Sequence, residues 1–485
     1  MHGHFYQPPR ENPWLEEVER EEGAAPFHDW NERITAECYT PNADNLQKIS
    51  FNFGPTLLSW LESHHPETYA KIREADRISR AQRGGHGNAI AQAYNHVIMP
   101  LATRRDKVTQ VCWGIEDFRH RFGRDPEGMW LPETAVDKET LAILAEAGLR
   151  FTILAQSQAR RIRPLGDGRW KNVEAGGIDP SRAYRWSGGA GQALTLFFSD
   201  SPISRAIAFE GALADGETLR ARLMGGFSTE RGWPQFVNVA TDGESYGHHR
   251  RNGAAALAVA LGKIEGEGEV TLTNYAAFLA GHPPAHEVEI VERTSWSCAH
   301  GVERWRSDCG CRVGHPGWHQ RWRAPLREAM DWLRNQLDPF CEARLGKLVK
   351  DPWAARDDYI RVILDRSSES TAAFFSQHQR SPLNPAQQVE ALKLLELQRQ
   401  RLLMYTSCGW FFDDISGLEA VQVLKYAARA MQLAGSLGFS GLEEEFVRRL
   451  RAAPSNVPEF ENGAEVYRQL VLPAARLAAT PGIWS

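Results

Sequence analysis

The hydrophobic and polar positions of the chain follow two different patterns, one before and one after a break near residues 286–320. Before about residue 285, short runs that are nearly continuous in apolar character alternate with helical patterns. Such runs are typical of parallel strands that are covered on both faces. A helix is predicted over 140–148, ending at a glycine. The alternation favours an α/β fold. The predicted strands are 151–154, 194–198, 236–241 and 270–273.

After residue 320 the apolar positions recur at helical spacing. Two stripes with steps of three and four residues predict amphipathic helices. The residues between the two regions are rich in Cys, His, Trp and Gly and predict an irregular segment. We therefore expect an α/β domain over 1–285, an irregular segment over 286–320 and a helical domain over 321–485. The two stripes are Leu326, Met330, Leu333 and Leu337, and Val421, Leu424, Ala428 and Met431.

Composition narrows the classes of partner. The 485 residues include 56 Lys and Arg against 61 Asp and Glu, a net charge of −5 without a long like-charge block, which argues against a nucleic-acid partner. No apolar run reaches the roughly 18–20 residues that cross a bilayer, and the N-terminus lacks the apolar core of a signal peptide. Seven cysteines in a chain of this size predict a reducing, cytoplasmic compartment.

Three acidic residues follow apolar runs directly: Glu133, Asp200 and Asp242. Because the carboxyl ends of parallel strands converge on one face, we expect these side chains to lie close together. Two carboxyl groups about 5–5.5 Å apart can cleave a glycosidic bond with retention of configuration. A lone strand-end carboxylate is more often a helix N-cap or an ion-pair partner. The polar run after Asp242 is denser, with Glu244 and His248, and favours a functional interpretation there.

Two further motifs have weaker support. Residues 243–247 fit the G-x-S-x-G pattern of serine hydrolases, but the carboxylates of Asp242 and Glu244 would repel a developing oxyanion. Three cysteines and nearby histidines in the irregular segment could hold zinc. Their spacing matches no standard zinc knuckle, so buried free cysteines are the favoured alternative. These residues are Cys298, His300, Cys309, Cys311 and His315. No phosphate-binding glycine motif is present.

Four motifs in order along the chain resemble those of glycoside hydrolase family 57. A later stretch, 406–417, is similar to a subgroup of that family with a C-terminal region of unknown function. A loose fifth motif corresponds to the Trp-rich stretch from Trp296. The four motifs are His2-Gly3-His4-Phe5-Tyr6-Gln7-Pro8; Gly87-Asn88 with 94–101; Gly128-Met129-Trp130-Leu131-Pro132-Glu133; and Asp242-Gly243-Glu244, followed by Tyr246-Gly247-His248.

The resemblance implies a distorted (β/α)7 barrel followed by a mostly α-helical C-terminal domain. It also implies retaining cleavage or transfer at α-glucosidic bonds of a glucan, without a metal or other cofactor. By this resemblance Glu133 is the nucleophile and Asp242 is the acid/base. Residue identities do not separate hydrolysis from transfer, because the two differ only in the acceptor.

The resemblance also suggests a substrate-binding set. His2, His4 and His96 would hydrogen-bond the sugar, and Trp130 and Trp410 would stack on glucose rings, with core packing as the alternative for each Trp. Glu244 would be a partner of Asp242. The remaining members of the set are Asp200 and His248.

One feature departs from the family. Family members have several apolar residues ahead of the first motif, whereas here Met1 abuts His2. We interpret this as a start codon assigned too late; the alternative is a chain that lacks most of its first barrel strand, in which His2 and His4 would be poorly held. The alternatives to a retaining glycosidase are a metal-dependent polysaccharide deacetylase, with His2, His4 and an Asp as ligands, and a glucan-binding protein that has lost turnover.

Overall fold

The computed structural model describes residues 1–166 and 168–477, which divide into two compact units. The first, here called the barrel unit, comprises Met1–Gln7, Arg20–Tyr94 and Asp117–Ser297. The second, the helical unit, comprises the remaining residues: Pro8–Glu19, Asn95–Glu116 and the chain from Cys298 onward.

The strands all belong to the barrel unit. They are β1 (His2–Phe5), β2 (Ser50–Phe53), β3 (Ala91–Gln92), β4 (Met129–Trp130), β5 (Phe151–Ala155), β6 (Ala159–Pro164), β7 (Lys171–Asn172), β8 (Ala183–Ser187), β9 (Ala193–Ser199), β10 (Ala240–Asp242) and β11 (His286–Ile290). The helices up to residue 281 are α1 (Trp30–Ile34), α2 (Thr40–Asn42), α3 (Pro55–His64), α4 (Pro66–Gln82), α5 (Arg104–Phe122), α6 (Lys138–Glu146), α7 (Ser201–Phe209), α8 (Gly216–Met224), α9 (Gly253–Glu267) and α10 (Tyr275–Gly281).

Seven parallel strands form a closed ring. β1 pairs with both β2 and β10, β3 pairs with β4, and β5 pairs with β9. Single parallel bridges, Phe51 to Ala89 and Gly128 to Phe151, join β2 to β3 and β4 to β5. The Asp200 amide donates to the Asn238 carbonyl at 2.8 Å and links β9 to the segment entering β10. The predicted (β/α)7 barrel is therefore confirmed. β8, β11, β6 and β7 extend the sheet beyond β9.

The strand predictions at 151–154 and 194–198 are confirmed by β5 and β9. The run 236–241 forms strand only at its end, in β10. The strand predicted at 270–273 is wrong. Residues 270–273 are partly exposed and have no regular structure. They connect Gly268, which ends α9 in the left-handed region, to Asn274, whose side chain caps α10. Alternation of Val and Leu with Thr over four residues does not specify a strand without a neighbour to pair with.

The helical unit confirms both apolar stripes, whose members are buried in α11 and α17. Residues 478–485 of the predicted helical domain lie outside the described residues. Across the part of the chain that the structure describes, no helix combines the length and apolar character needed to cross a membrane. The helices of the helical unit after residue 297 are α11 (Arg323–Leu345), α12 (Pro352–Asp358), α13 (Ile360–Leu364), α14 (Ser368–His378), α15 (Pro385–Leu403), α16 (Cys408–Phe411), α17 (Leu418–Ser436), α18 (Leu442–Leu450), α19 (Gly463–Val466) and α20 (Leu472–Leu477).

A buried ion cluster ties α5 to α12 and α15 inside the helical unit. One carboxylate oxygen of Asp106 lies 3.0 Å from Arg356 Nη1 and 2.7 Å from Arg401 Nη1. Arg401 also pairs with Asp338. Both arginine side chains are 0–1% exposed, so their charges depend on these partners rather than on water.

Asp106→Ala should lower the free energy of unfolding by about 3–5 kcal/mol, because it leaves two buried guanidinium groups without their shared carboxylate. Urea unfolding followed by circular dichroism would measure the loss. Glu445→Ala is the matched control, since its partner Arg448 is largely exposed and little change is expected. Equal effects in the two variants would contradict the assigned role of Asp106.

Candidate functional site

Four neighbouring strands of the ring carry polar side chains at the same level near their carboxyl ends. In the strand register, His4 lies opposite Asp242 on one side and opposite Asn52 on the other. Gln92 lies opposite Trp130. The Asn52 amide joins the two sets, because its Nδ2 donates to Gln92 Oε1 at 2.9 Å. We call His4, Asn52, Gln92 and Asp242 the polar layer. The structure thus brings the predicted residues His4 and Asp242 to adjacent strands.

Asn52 sets the hydrogen-bonding roles of both histidines on β1. In the arrangement that uses each donor once, the Ser50 hydroxyl donates to His2 Nδ1 at 3.1 Å, and His2 Nε2 donates to Asn52 Oδ1 at 3.0 Å. Asn52 Nδ2 then donates to His4 Nδ1 at 3.0 Å. This assignment places the His4 proton on Nε2.

The surroundings of both imidazoles favour their neutral form. Burial lowers the pKa of His4 to about 3, and burial together with the neighbouring His4 lowers the pKa of His2 well below its ordinary value. The Trp130 ring stacks on both, with centroids 4.9 Å apart in each pair. Because Trp130 is 0% exposed, its burial favours the packing alternative over a sugar-stacking wall.

Asp242 is open to solvent in the structure, yet its surroundings make ionisation unfavourable. The protein atoms crowded around the carboxyl group raise its pKa well above the ordinary value, and the negative charges of Glu244 and Glu133 raise it further. The group therefore retains a proton to higher pH than an ordinary aspartate. The influence of Glu133 means that two of the carboxylates predicted to work together interact electrostatically.

Glu133 follows β4 in a short 3-10 turn and adopts a left-handed backbone conformation, with φ 57° and ψ 18°. The next residue, Thr134, has φ 50°. Two consecutive residues of this kind are costly outside glycine. Backbone hydrogen bonds hold the turn: the Trp296 amide donates to the Glu133 carbonyl, and the Val136 amide donates to the Thr294 carbonyl, each at 3.0 Å.

The Glu133 carboxylate is held by two donors on one oxygen. Trp296 Nε1 donates to Oε2 at 3.0 Å, and the Ser297 hydroxyl donates to the same atom. These contacts fix the orientation of the carboxylate relative to β4. Sequence reasoning had connected Trp296 to the site only through a loose motif, and it missed Ser297.

Glu244 is buried immediately behind Asp242. Its Oε1 accepts hydrogen bonds from the Tyr39 hydroxyl at 2.7 Å and from the Tyr6 amide at 2.9 Å. Burial raises its pKa to about 7, although both hydrogen bonds act in the opposite direction. With 5% of its surface exposed, Glu244 fits the expected role of a partner of Asp242 better than direct contact with a ligand.

Two other predicted residues make ordinary structural contacts. Asp200 caps α7, accepting from the Ile203 amide at 3.0 Å, which is the N-cap alternative considered from the sequence. The His248 ring pairs with the Glu37 carboxylate.

His96 and Trp410 belong to the helical unit. His96 has φ 54°, and its Nδ1 lies 2.7 Å from the Ser407 hydroxyl. Trp410 is 1% exposed, and its Nε1 donates to the Arg323 carbonyl at 3.2 Å. The Arg327 guanidinium lies 5.0 Å from its ring centroid. The burial of Trp410 favours the packing alternative for this residue too.

Asn52 and Gln92 were missed from the sequence. A signal for the first was present, because Ser50-Phe51-Asn52-Phe53 places two polar residues on one face of a fully buried strand. Gln92 offered no such pattern. Its Nε2 is buried and has no hydrogen-bond partner among the described residues, so it is a donor that a ligand hydroxyl or a water molecule would satisfy.

The metal-ligand alternative for the histidines has little geometric support. Both ring nitrogens of His2 face protein partners, Ser50 and Asn52. Within the described ranges, the group of Cys, His, Asp or Glu residues arranged to hold an ion lies elsewhere, at 298–311. The G-x-S-x-G run forms a buried 3-10 turn over Gly243–Tyr246.

Two family models match the chain. Residues 14–290 match the model described as Glycosyl hydrolase family 57, and residues 318–480 match a domain of unknown function, DUF3536. Among curated proteins, the chain is 30% identical over 106 residues to alpha-amylase 1 of Dictyoglomus thermophilum, covering 22% of this chain and 15% of that protein. It is 26% identical over 107 residues to 4-alpha-glucanotransferase of Thermococcus litoralis, with the same coverages. The matches thus span about 15% of each relative.

Solved structures show the same fold over nearly the whole chain. An exo-type maltose-forming amylase from Pyrococcus sp. ST04 superposes with a TM-score of 0.74 at 17% identity, covering 99% of this chain and 92% of that one. A GH57-type branching enzyme from Pyrococcus horikoshii gives 0.56 at 15% identity, covering 100% and 98%.

The raised pKa of Glu244 predicts how stability depends on pH. Its folded pKa of about 7 lies above the ordinary value of 4.5, so the folded state binds the extra proton between these values and loses stability as pH rises through them. Glu244→Gln does not ionise. Its free energy of unfolding relative to the unsubstituted protein should therefore increase by about 2–3 kcal/mol between pH 5 and pH 8.

Urea unfolding at several pH values would measure this difference. Glu289→Gln is the control, because Arg161 lowers the pKa of Glu289 and its contribution changes only below the ordinary pKa. A Glu244→Gln difference that stays constant from pH 5 to pH 8 would contradict the assignment.

Proposed function

The chain belongs to glycosyl hydrolase family 57, and on that premise we propose that it cleaves or transfers α-glucosidic bonds of a glucan with retention of configuration. Glu133 is the proposed nucleophile and Asp242 the proposed acid/base. The observation that carries the proposal is the pairing of an oriented carboxylate at the end of β4 with a proton-retaining carboxyl group at the end of β10.

The reaction has two steps. In the first, Glu133 attacks the anomeric carbon while Asp242 gives its proton to the departing glycosidic oxygen, which leaves a glycosyl ester on Glu133. In the second, Asp242 takes a proton from water or from a sugar hydroxyl, whose oxygen displaces Glu133. The raised pKa of Asp242 suits the donor role in the first step.

The neutral histidines support binding of an uncharged sugar. His4 carries its proton on Nε2 in the assigned arrangement and is suited to donate to a sugar hydroxyl. A charged imidazole in its place would pair with a neighbouring carboxylate and disturb the protonation of Asp242. Gln92 Nε2 is a second donor at the same level of the barrel.

An α-glucan is proposed as substrate because similar proteins are named as an alpha-amylase, a 4-alpha-glucanotransferase and a branching enzyme. These names cover hydrolysis and transfer, which share the glycosyl-enzyme intermediate. The outcome depends on whether water or a sugar hydroxyl reaches that intermediate. Soluble starch and maltooligosaccharides are therefore the first substrates to test.

Glu133→Ala should lower the rate on a maltooligosaccharide by about a thousand-fold or more, and azide should restore part of it by replacing the missing nucleophile. Glucan binding should remain near that of the unsubstituted protein. Asp242→Asn should also be inactive but should not be rescued in this way. Product formation by chromatography and binding by calorimetry would measure both properties.

Glu139→Gln, on the exposed side of α6, is the control and should keep full activity. Unchanged rates in Glu133→Ala would contradict the nucleophile assignment. Tight glucan binding without product in the unsubstituted protein would instead identify a glucan-binding protein without turnover.

The pH profile should report the environment of Asp242. This group must be protonated to donate, so kcat/KM should fall as pH rises through its raised pKa. In Glu244→Gln one of the negative charges that raise this pKa is absent, and the alkaline limb should move to lower pH. In Glu289→Gln it should stay in place. A limb that is unmoved or moves upward in Glu244→Gln would show that another group sets it.

A further inference from the structure

Four soft ligand atoms lie together in the helical unit, where its last stretch of chain begins at Cys298. Cys298 Sγ lies 4.0 Å from Cys309 Sγ and 3.8 Å from Cys311 Sγ, and Cys311 Sγ lies 3.6 Å from His300 Nδ1. All four ligand atoms lie within 4.8 Å of one another. From the sequence, spacing alone had favoured buried free cysteines. The structure adds what the spacing did not give, because it brings the ligand atoms of one C-x-H segment and one C-x-C segment close together.

These distances match those around a single tetrahedral zinc ion. With Zn–S bonds of about 2.3 Å and Zn–N bonds of about 2.0–2.1 Å, a regular tetrahedron has S–S edges of about 3.8 Å and S–N edges of about 3.6 Å. A disulfide would need the sulfurs at about 2.0 Å. All seven cysteines are free thiols in the structure. The spacing therefore fits a shared ion and does not fit a covalent bridge.

Backbone amide groups point at two of the sulfurs. Amide groups of His300 and Arg304 donate to the Cys298 sulfur, and the Cys311 amide donates to the Cys309 sulfur. Such donors stabilise negative sulfur and orient metal ligands. Three thiolates this close together would repel one another without a cation.

Glycines permit the two turns that bring the ligands together. Gly301, directly after His300, has φ 82°, and Gly310, between Cys309 and Cys311, has φ 80°. Other residues adopt these values only with strain. The Cys309-Gly310-Cys311 turn is thus built so that two sulfurs face the same point.

The chain over 298–320 is irregular, and polar contacts help to hold it. Arg323 donates to the carbonyls of Cys311 at 2.8 Å and of Phe412 at 3.1 Å. Arg304 donates to the carbonyl of Phe411 at 3.1 Å. Between 298 and 320, regular structure is limited to one 3-10 turn, Glu303–Trp305. A bound ion would supply the crosslink that neither a strand ladder nor a helix provides here.

We propose that Cys298, His300, Cys309 and Cys311 bind one structural zinc ion. Four protein ligands fill a tetrahedral site and leave no position for a substrate or a reactive water, so the ion takes no part in the glycosidase chemistry. The site is independent of the proposed function, which would stand without it.

Metal analysis of the full chain, expressed without a polyhistidine tag, tests the proposal directly. We expect about one zinc ion per chain after dialysis. Cys309→Ser should lose most of this zinc. Cys112→Ser is the matched control, because Cys112 is also partly exposed but lies outside the cluster, on α5, and this variant should keep its zinc.

A second measurement avoids variants that fail to fold. Titrating the unsubstituted chain with an organomercurial that caps thiols should release about one equivalent of zinc. Cobalt added to the metal-free chain should give the intense visible bands of tetrahedral thiolate coordination. Less than about one tenth of an equivalent of zinc together with no cobalt bands would overturn the proposal. So would stoichiometric iron, or a mass two hydrogens lower that shows a disulfide among these cysteines.

Discussion

The amide of Asn52 is the contact on which the polar layer depends. It offers one acceptor and two donors, and in the barrel these are taken by His2, His4 and Gln92. No other side chain of this size presents the same combination at one position. Because β1 is only four residues long, its side chains rely on pairing with β2 and β10 and on this amide for their orientation.

The electrostatics of the site depend on two sets of groups, the imidazoles of β1 and the carboxyl groups around Asp242. Burial lowers the pKa of both imidazoles, whereas burial and the negative charges of Glu244 and Glu133 raise the pKa of Asp242. A cation among them would stabilise ionised Asp242 and remove the proton that the proposed first step needs. The barrel thus separates two identical functional groups by surroundings alone, with Glu133 held by hydrogen-bond donors and Asp242 crowded by carboxylates.

Sequence patterns located what is local in the chain and missed what depends on pairing. The fold class, β5, β9 and the strand-end positions of Glu133 and Asp242 were predictable because apolar runs and the residues after them are contiguous. Ser297 was not predictable, since it lies 164 residues from Glu133 in the chain. The stretch that carries Ser297 also has no regular structure from which its position could be expected. The burial of individual side chains could not be predicted either. A tryptophan in a motif gives the same sequence pattern whether its ring faces solvent or packs on two histidines.

At Glu133 the backbone conformation and the proposed catalytic role favour different residues. Its φ of 57° and ψ of 18° are values that glycine adopts at no steric cost. The backbone conformation alone therefore favours glycine at this position, and the proposed role as nucleophile is a reason for a carboxylate there. A chain of this fold that has no need of turnover is expected to carry glycine or asparagine at residue 133 while it keeps the barrel. The residue at this position would then indicate whether a related chain still acts as an enzyme.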